Sequence, residues 1–397
     1  MNNNDWKILG REESIFRRDV CKHYAYMRDI LNDASVLVIG GAGTIGQAVC
    51  NELFKLSPSK LHVVDISENN LVEVVRDLRS SQGYRTKNFA TYALDVGSVE
   101  FEALVENEGP YDYVFNLSAL KHVRSEKDPY TLMRMLRVNV FNTVNAFKTL
   151  KKNGLKKYFC VSTDKAANPV NLMGASKKLM EYYLASQGDA VPISMARFAN
   201  VAFSDGSLLH GFNQRFMKNQ PITAPKDICR YFISKQEAGE LCVLSGMLGL
   251  HNEIYFPNDR HNLELINFCD IAIRFIEDRG FEPWICKSEV EARDRAVELI
   301  RARKWPLYLF ESDTTGEKPF EEFYTKKENV IFDRYHSVGV IAAEQRFNMA
   351  DLNDFEATIF GFLEQKKWSK KDLVSAFGSI LDDFHHEELN KYLDQRM

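Results

Sequence analysis

The sequence predicts an α/β fold, a doubly wound parallel sheet with helices on both faces. Three observations carry that prediction. Apolar runs of strand length alternate with helix-length stretches across residues 35–201. The runs are continuously apolar, as in strands buried on both faces, rather than alternating with period two. The first run ends in GGAGTIG (40–46), a glycine turn that opens a helix.

Each element follows in order. Residues 1–33 are polar, with Val20, Tyr24, Met27, Ile30 and Leu31 spaced as one helix ahead of the main domain. SVLVIGGAGTIG (35–46) reads as strand, turn and helix start. LHVVDIS (61–67), ATYALDV (90–96), YDYVFNLSA (111–119) and KKYFCVSTD (156–164) supply strands two to five. Helices are predicted between them at 46–56, 68–81, 98–107 and 130–153, and PISMARFANV (192–201) is a sixth strand. Farther on, FISKQEAGELCVLSGML (232–248) is helical and NEIYFPN (252–258) a strand. INFCDIAIRFIEDRG (266–280) is a helix with a glycine stop, and 287–304 reads as one charged helix. Amphipathic helices are predicted near 351–366 and 369–394. The expected division is a helical segment (1–33), the sheet domain (34–200), a ligand-binding region (201–324) and a helical extension (325–397).

Bulk properties exclude several classes. Fifty-one basic and 55 acidic side chains give a net charge of −4 over 397 residues, so no general attraction to nucleic acid or an anionic membrane is expected. A binder of anionic ligands must concentrate its positive charge locally. The seven cysteines are scattered without a C-x-x-C pair, which argues against zinc ribbons and a disulfide framework and points to a reducing cytoplasm. No metal is expected, and His385-His386 reads as a solvated pair. The N-terminal residues lack the apolar core of a signal peptide, and no run approaches 18 apolar residues, so no membrane span is expected.

Gly40, Gly43 and Gly46 form G-x-x-G-x-x-G between a strand and a helix. In that setting Gly40 makes the tight turn, Gly43 lets the backbone approach a pyrophosphate, and Gly46 brings helix against strand. Thr44 and Ile45 open the helix, whose free N–H groups and partial positive charge suit a diphosphate. Asp65, nineteen residues after Gly46, is placed to bind the adenosine ribose, and Asp95-Val96 to meet the adenine. No cation directly follows Asp65, which favours NAD over NADP.

At the same carboxyl edge of the sheet the fifth strand closes in Thr163-Asp164-Lys165, an acid and a base beside a hydroxyl. With the glycine spacing and Lys177, this resembles the extended short-chain dehydrogenase/reductase family, a Rossmann-type fold. That family pairs a tyrosine with the lysine four residues on; here the tyrosine position is Met173, which carries no proton. The run STDKAANPVNLMGASKK (162–178) resembles the signature of the NDP-N-acetylhexosamine 4,6-dehydratases, and LSALKHV (117–123), RFANV (197–201), GSLL (206–209), PIT (221–223) and GEKPFEE (316–322) continue the match in order.

The resemblance implies a reaction. NAD takes the C4 hydride of an NDP-linked N-acetylglucosamine, water is lost across C5 and C6, and the hydride returns to C6. It implies Lys165 as the C5 base, Asp164 as the acid for the 6-hydroxyl, Thr163 near the 4-hydroxyl and Lys177 on the nicotinamide ribose. As a base, Lys165 is expected to have a depressed pKa. Met173 implies retention at C5, and Lys177 or a water held by Thr163 is left as acceptor of the 4-hydroxyl proton. Lys121, Arg197, Asn200 and Arg230 fall on motif segments and are expected to bind the nucleotide sugar, the cations through its diphosphate. UDP is the implied nucleotide, GDP the alternative, and a homo-oligomer is expected.

The chain departs from the family's wording at RSEKDP (124–129), Ala199, VAFSDGS (201–207) and APKDICRYFIS (224–234). Residues 281–305 and 325–397 have no counterpart in compact members and are expected to form an oligomer contact or a lid. Other readings stay open: a C5-inverting dehydratase, a nucleotide-sugar epimerase, and a non-catalytic NAD-binding protein.

Overall fold

Six strands form at the six apolar runs: β1 (Ser35–Ile39), β2 (Lys60–Asp65), β3 (Asn88–Ala93), β4 (Tyr113–Asn116), β5 (Lys157–Val161) and β6 (Ile193–Ala196). The computed structural model describes residues 4–188, 190–260, 263–312, 318, 320–342, 348–382 and 384–386. The six strands lie parallel in the order β3-β2-β1-β4-β5-β6. Burial explains the composition: Val36, Leu37 and Val38 at the sheet centre are fully buried, whereas the edge strand β3 is only half-buried. Each crossover carries a helix, including Thr44–Leu56, Glu68–Gln82, Val99–Glu108 and Leu172–Ala185. The chain runs outward from β1 to β3 and then returns to place β4 on the other side of β1. That reversal opens a crevice at the carboxyl ends of β1 and β4, where doubly wound sheets bind ligands.

The helix predicted over 130–153 is interrupted. Helices Pro129–Leu136 and Thr143–Lys152 flank a π-helical turn at Arg137–Asn142. Such turns recur at functional sites. The sixth apolar run also divides: beyond Arg197 the chain leaves the main sheet, and β7 (Asn200–Val201) joins a small sheet instead.

The remaining strands are β8 (Ile222–Pro225), β9 (Cys229–Ile233), β10 (Glu253–Pro257), β11 (Leu265–Asn267), β12 (Glu282–Cys286), β13 (Lys304–Phe310), β14 (Asn329–Ile331) and β15 (Val338–Ala342). β10 continues the parallel sheet beside β6, and β15 and β14 extend it antiparallel. Two three-stranded sheets, β11-β9-β7 and β12-β13-β8, stand apart from it.

Two expectations for the C-terminal half are corrected. Residues 287–304 are two short helices, Glu289–Asp294 and Ala296–Arg301, in the crossover between parallel strands β12 and β13. The reason is apolar burial: Trp305 and Leu307 of β13 are buried in a second core, where Trp305 stacks on Phe216 at 4.3 Å. Residues 281–305 thus lie in a βαβ unit. Residues 325–397 open with two strands of the main sheet before the helices Met349–Gln365 and Lys370–Gly378. The second helix stops well short of 394, and residues from 387 on lie outside the described ones. Among the described residues no helix is long and apolar enough to cross a membrane.

Candidate active site

The glycine turn closes the crevice between β1 and β4. Gly40 has φ +73°, and a Cβ there would lie 2.6 Å from the backbone nitrogen of Ser118. A Cβ at Gly46 would lie 2.2 Å from the Gly40 carbonyl oxygen, so helix and turn touch with no room for a side chain. Gly43 differs: its Cβ would meet nothing nearer than 3.6 Å and it lines the open crevice on both sides. Its glycine is therefore not demanded by protein packing, as befits a cradle that a Cβ would fill.

Two adjoining cavities meet at this turn. The first, about 250 Å³, is lined by Asp65, Asp95, Val96 and the guanidinium-bearing Arg134. Asp65 is held in place by two backbone donors, the N–H groups of Ala42 and Ser67, each at 2.9 Å. Each of its oxygens keeps accepting capacity for a ribose. The second cavity, about 320 Å³, brings together Gly40, Thr44, Ile45, Gly46, Lys121, Thr163, Asp164, Lys165, Met173, Lys177 and Asn200. A wider cavity of about 660 Å³ runs along residues 9–18 and holds none of the motif residues. Pocket size alone is a poorer guide here than convergent polar groups. The Thr44 hydroxyl is already engaged, donating to the Asp205 carboxylate at 2.9 Å and accepting from the Asp205 N–H at 3.0 Å. Asp205 belongs to the divergent VAFSDGS segment, so that departure places a carboxylate at the mouth of the turn.

Thr163, Asp164 and Lys165 stand where β5 ends in a 3₁₀ turn, Asp164–Ala166. Asp164 Oδ1 accepts three hydrogen bonds, from the Thr163 hydroxyl (2.9 Å), the Lys165 N–H (2.8 Å) and Lys165 Nζ (3.1 Å). A second carboxylate reaches the same lysine: Glu321 Oε1 lies 3.8 Å from Lys165 Nζ. The expected depression of the Lys165 pKa is overturned. Burial pulls the ammonium down, but Asp164 and then Glu321 outweigh it against the opposing charge of Arg230, and the pKa is raised. In this state Lys165 keeps its proton.

Lys177 is buried and donates to the Val161 carbonyl at 3.0 Å. Burial holds its ammonium below the ordinary lysine range, opposed by Cys160 and Glu181. Met173 is buried in the cavity wall, and its N–H donates to Glu126 Oε1 at 2.9 Å. Asn200 is the most suggestive member. Its Nδ2 is buried in the cavity wall and has no hydrogen-bond partner among the described residues, which is costly unless a ligand accepts from it.

Two expected substrate cations are corrected. Arg197 is buried and spends all five donors on protein. Nε and Nη2 bond Glu181 at 3.0 and 2.7 Å, Nη1 and Nη2 bond Glu328 at 3.0 and 2.7 Å, and Nη1 also bonds the Phe323 carbonyl at 2.9 Å. It has nothing left for a diphosphate. Arg230 is buried outside the cavity lining, bonds the Cys229 carbonyl at 2.9 Å, and acts electrostatically on Lys165 and Glu321. Lys121 does reach the cavity. The histidine pair is corrected too: His385 is exposed, but the His386 side chain is only 6% exposed, with Nε2 3.4 Å from Glu126 Oε2. Among the described residues no cluster suits a metal ion.

Sequence reasoning passed over Glu321, Glu126 and Asn139. Asn139, in the π-helical turn, bonds both backbone groups of Leu120 (2.9 and 3.1 Å) and the Ser176 hydroxyl (3.0 Å), fixing the loop that carries Lys121 to the helix that carries Lys177. Glu321 lies in the quoted GEKPFEE segment, so that motif was its available signal.

A polysaccharide biosynthesis protein family matches residues 36–342, most of the chain. The chain belongs to that family. It is 28% identical over 330 residues to the capsular polysaccharide biosynthesis protein CapD of Staphylococcus aureus, covering 82% of this chain and 51% of the relative. The chain thus spans about half the length of that relative. It is 28% identical over 238 residues to a UDP-N-acetylglucosamine 4,6-dehydratase (inverting) of Campylobacter jejuni, covering 57% of this chain and 68% of that one. Among solved structures, Pen from Bacillus thuringiensis superposes with TM-score 0.65 at 23% identity, covering 80% of this chain and 89% of Pen. That likeness speaks for the fold.

Proposed function

We propose that this protein is a nucleotide-sugar 4,6-dehydratase acting on an NDP-linked N-acetylglucosamine, UDP most readily, with NAD as resident cofactor and C5 configuration retained. The observation that carries the reading is the Asp164–Lys165 pair, 3.1 Å apart, facing the same cavity as the glycine turn. A simple 4-epimerase needs only a redox step. An adjacent acid and base suit loss of water across neighbouring carbons.

The residues present fit NAD. Gly43 leaves the cradle open, and Asp65 offers a fixed carboxylate in the adjoining cavity. A 2′-phosphate there would face Asp65 and Asp95 against the one cation of that lining, Arg134. When bound, NAD supplies the C4 oxidation and the later return of hydride to C6.

The protein's own groups do the rest. Lys177, its ammonium weakened by burial, holds the nicotinamide ribose and takes the 4-hydroxyl proton. Lys165 removes the C5 proton, made acidic by the neighbouring 4-ketone, and Asp164 protonates the departing 6-hydroxyl. The Lys165 ammonium, exchanged with solvent, returns a proton to C5 when hydride reaches C6. The free pair stands in the opposite form, with the proton on Lys165, so one proton must cross the 3.1 Å contact to Asp164 before the sugar reacts. That transfer creates the amine base and the carboxylic acid together. Lys121 and the unpaired Nδ2 of Asn200 contact the substrate.

The test is proton NMR of purified protein with UDP-N-acetylglucosamine and NAD in D₂O. The expected product is a 6-deoxy-4-keto sugar with deuterium at a retained C5. A product with inverted C5 would support the inverting reading, which the Campylobacter relative's name favours. Sugars left unchanged with every nucleotide tried would refute an enzyme of this type.

A further inference from the structure

We infer that Glu321 is a positioning residue for the C5 base: it aims Lys165 Nζ into the cavity and carries the countercharge for the ammonium formed when Lys165 takes the C5 proton. The inference rests on the dehydratase reading for its step, and on geometry for its residue. Glu321 is 3% exposed, yet it belongs to a segment remote in sequence from the site. Its Oε1 lies 3.8 Å from Lys165 Nζ and its Oε2 3.9 Å from Lys318 Nζ. Its neighbours Lys318 and Glu322 both bond Asn168, shortly after the T-D-K turn. Lys318 Nζ donates to the Asn168 carbonyl, and Asn168 Nδ2 donates to Glu322 Oε2 at 2.8 Å. A buried carboxylate within 4 Å of two lysines, one of them lining the cavity, needs a reason to be charged there.

The reason is the charge balance of the proposed step. The C5–H bond breaks, its electron pair passes into the enolate of the 4-ketone, and a new N–H bond leaves Lys165 as an ammonium. Asp164 holds the acid proton at that moment, so it offers no countercharge. Glu321 does. The charged groups facing it are Lys165, Asp164, Arg230 and Lys318. Burial is the largest influence and its pKa is raised, with Asp164 adding to the rise; Lys165, Arg230 and Lys318 oppose it and favour the carboxylate. Its negative charge in turn makes Lys165 a stronger base.

The discriminating variants are Glu321→Gln, which keeps the reach and removes the charge, and Glu321→Asp, which keeps the charge and shortens the reach. In single turnovers with UDP-N-acetylglucosamine, absorbance at 340 nm follows C4 oxidation, and NMR in D₂O follows deuterium entry at C5. Glu321→Gln should leave C4 oxidation within about twofold, lower the high-pH plateau of C5 exchange at least about tenfold, and move the midpoint of that profile to lower pH. Glu321→Asp should lower the plateau while the midpoint stays near wild type. A second readout needs no turnover. In protein carrying [ε-¹³C]lysine, the Lys165 resonance, assigned by its loss in Lys165→Met, should titrate at lower pH in Glu321→Gln.

An unshifted Lys165 titration, or C4 and C5 steps that fall in parallel with an unmoved midpoint, overturns the inference and leaves Glu321 a packing residue. Wild-type protein that leaves all NDP-sugars intact overturns the dehydratase reading and this step with it. The two failures are separate, because the first is seen in active enzyme.

Discussion

Replacing Arg197 by methionine separates a ligand cation from a structural one. Five hydrogen bonds of 2.7–3.0 Å join this guanidinium to Glu181, Glu328 and the Phe323 carbonyl, and Glu181 is itself 3% exposed. Methionine fills the stem of the side chain but leaves the buried Glu181 and the part-buried Glu328 carboxylates without a cation. Breaking a buried ion pair from one side costs about 3–5 kcal/mol, mostly the penalty of the stranded charge. With about 2.1 cal/mol/K of unfolding entropy per residue, a chain of this length loses about 4–6 °C of Tm for that cost. The pH dependence has a definite sign. Burial raises the Glu328 pKa, but Arg197 dominates and the net shift is downward. A depressed carboxyl stabilises the fold above its unfolded pKa, and that stability is lost as pH falls through the folded value. Wild-type Tm should therefore drop in the acid range, and Arg197→Met should flatten that drop. Differential scanning calorimetry between pH 4 and 8 makes the measurement, paired with KM for the nucleotide sugar. An unchanged Tm with a KM raised tenfold or more would refute the strut and restore Arg197 to the diphosphate.

Further variants test other parts of the site. Lys165→Met should abolish dehydration, a loss of at least about 10²-fold for a general base, while NAD binding by fluorescence titration stays intact; retained turnover rules out its role as base. Gly46→Ala drives a methyl to 2.2 Å from the Gly40 carbonyl oxygen; an overpacked turn should cost about 1–3 kcal/mol of stability and weaken NAD binding in the same titration. Asn200→Ala removes a buried donor that lacks a partner, so denaturant unfolding should show no loss of stability, or a gain of up to about 1–3 kcal/mol, while KM for the sugar rises; lost stability with unchanged KM counts against a substrate contact. Glu240, pushed up to about 7 by burial with Glu52 and Glu237 adding to it, binds its proton more tightly folded than unfolded. Stability should fall as pH rises from about 4.5 to 7, and Glu240→Gln should remove that slope and stabilise the protein at pH 8 by about 1–3 kcal/mol in urea unfolding.

Much of the fold and part of the site are legible in the chain itself, for a common reason: their signals are local. A strand buried on both faces writes itself as a continuous apolar run, so β1, β2, β4 and β5 are readable without their neighbours. The glycine turn works at fixed short spacing, because Gly40 and Gly46 must touch within one turn of backbone. Thr163, Asp164 and Lys165 are adjacent in sequence, so their meeting in space needed no prediction. The strands β12 and β13 were passed over because a charged residue and a proline in each masked short runs whose burial depends on partners elsewhere, as Trp305 depends on Phe216.

What a charge does was decided only by the folded chain. Arg197 sits in a motif segment and reads as a ligand cation; its carboxylate partners lie 16 and 131 residues away, and they consume it. Lys165 reads as a depressed base; its neighbour Asp164, joined by Glu321 brought over it by the last part of the domain, raises its pKa instead. The sequence determined which chemical groups are present and which backbone turn carries the glycine spacing. Tertiary structure decided their charge states and availability, because a side chain's pKa and free donors are set by whatever lies within a few ångströms, and those neighbours come from anywhere along the chain.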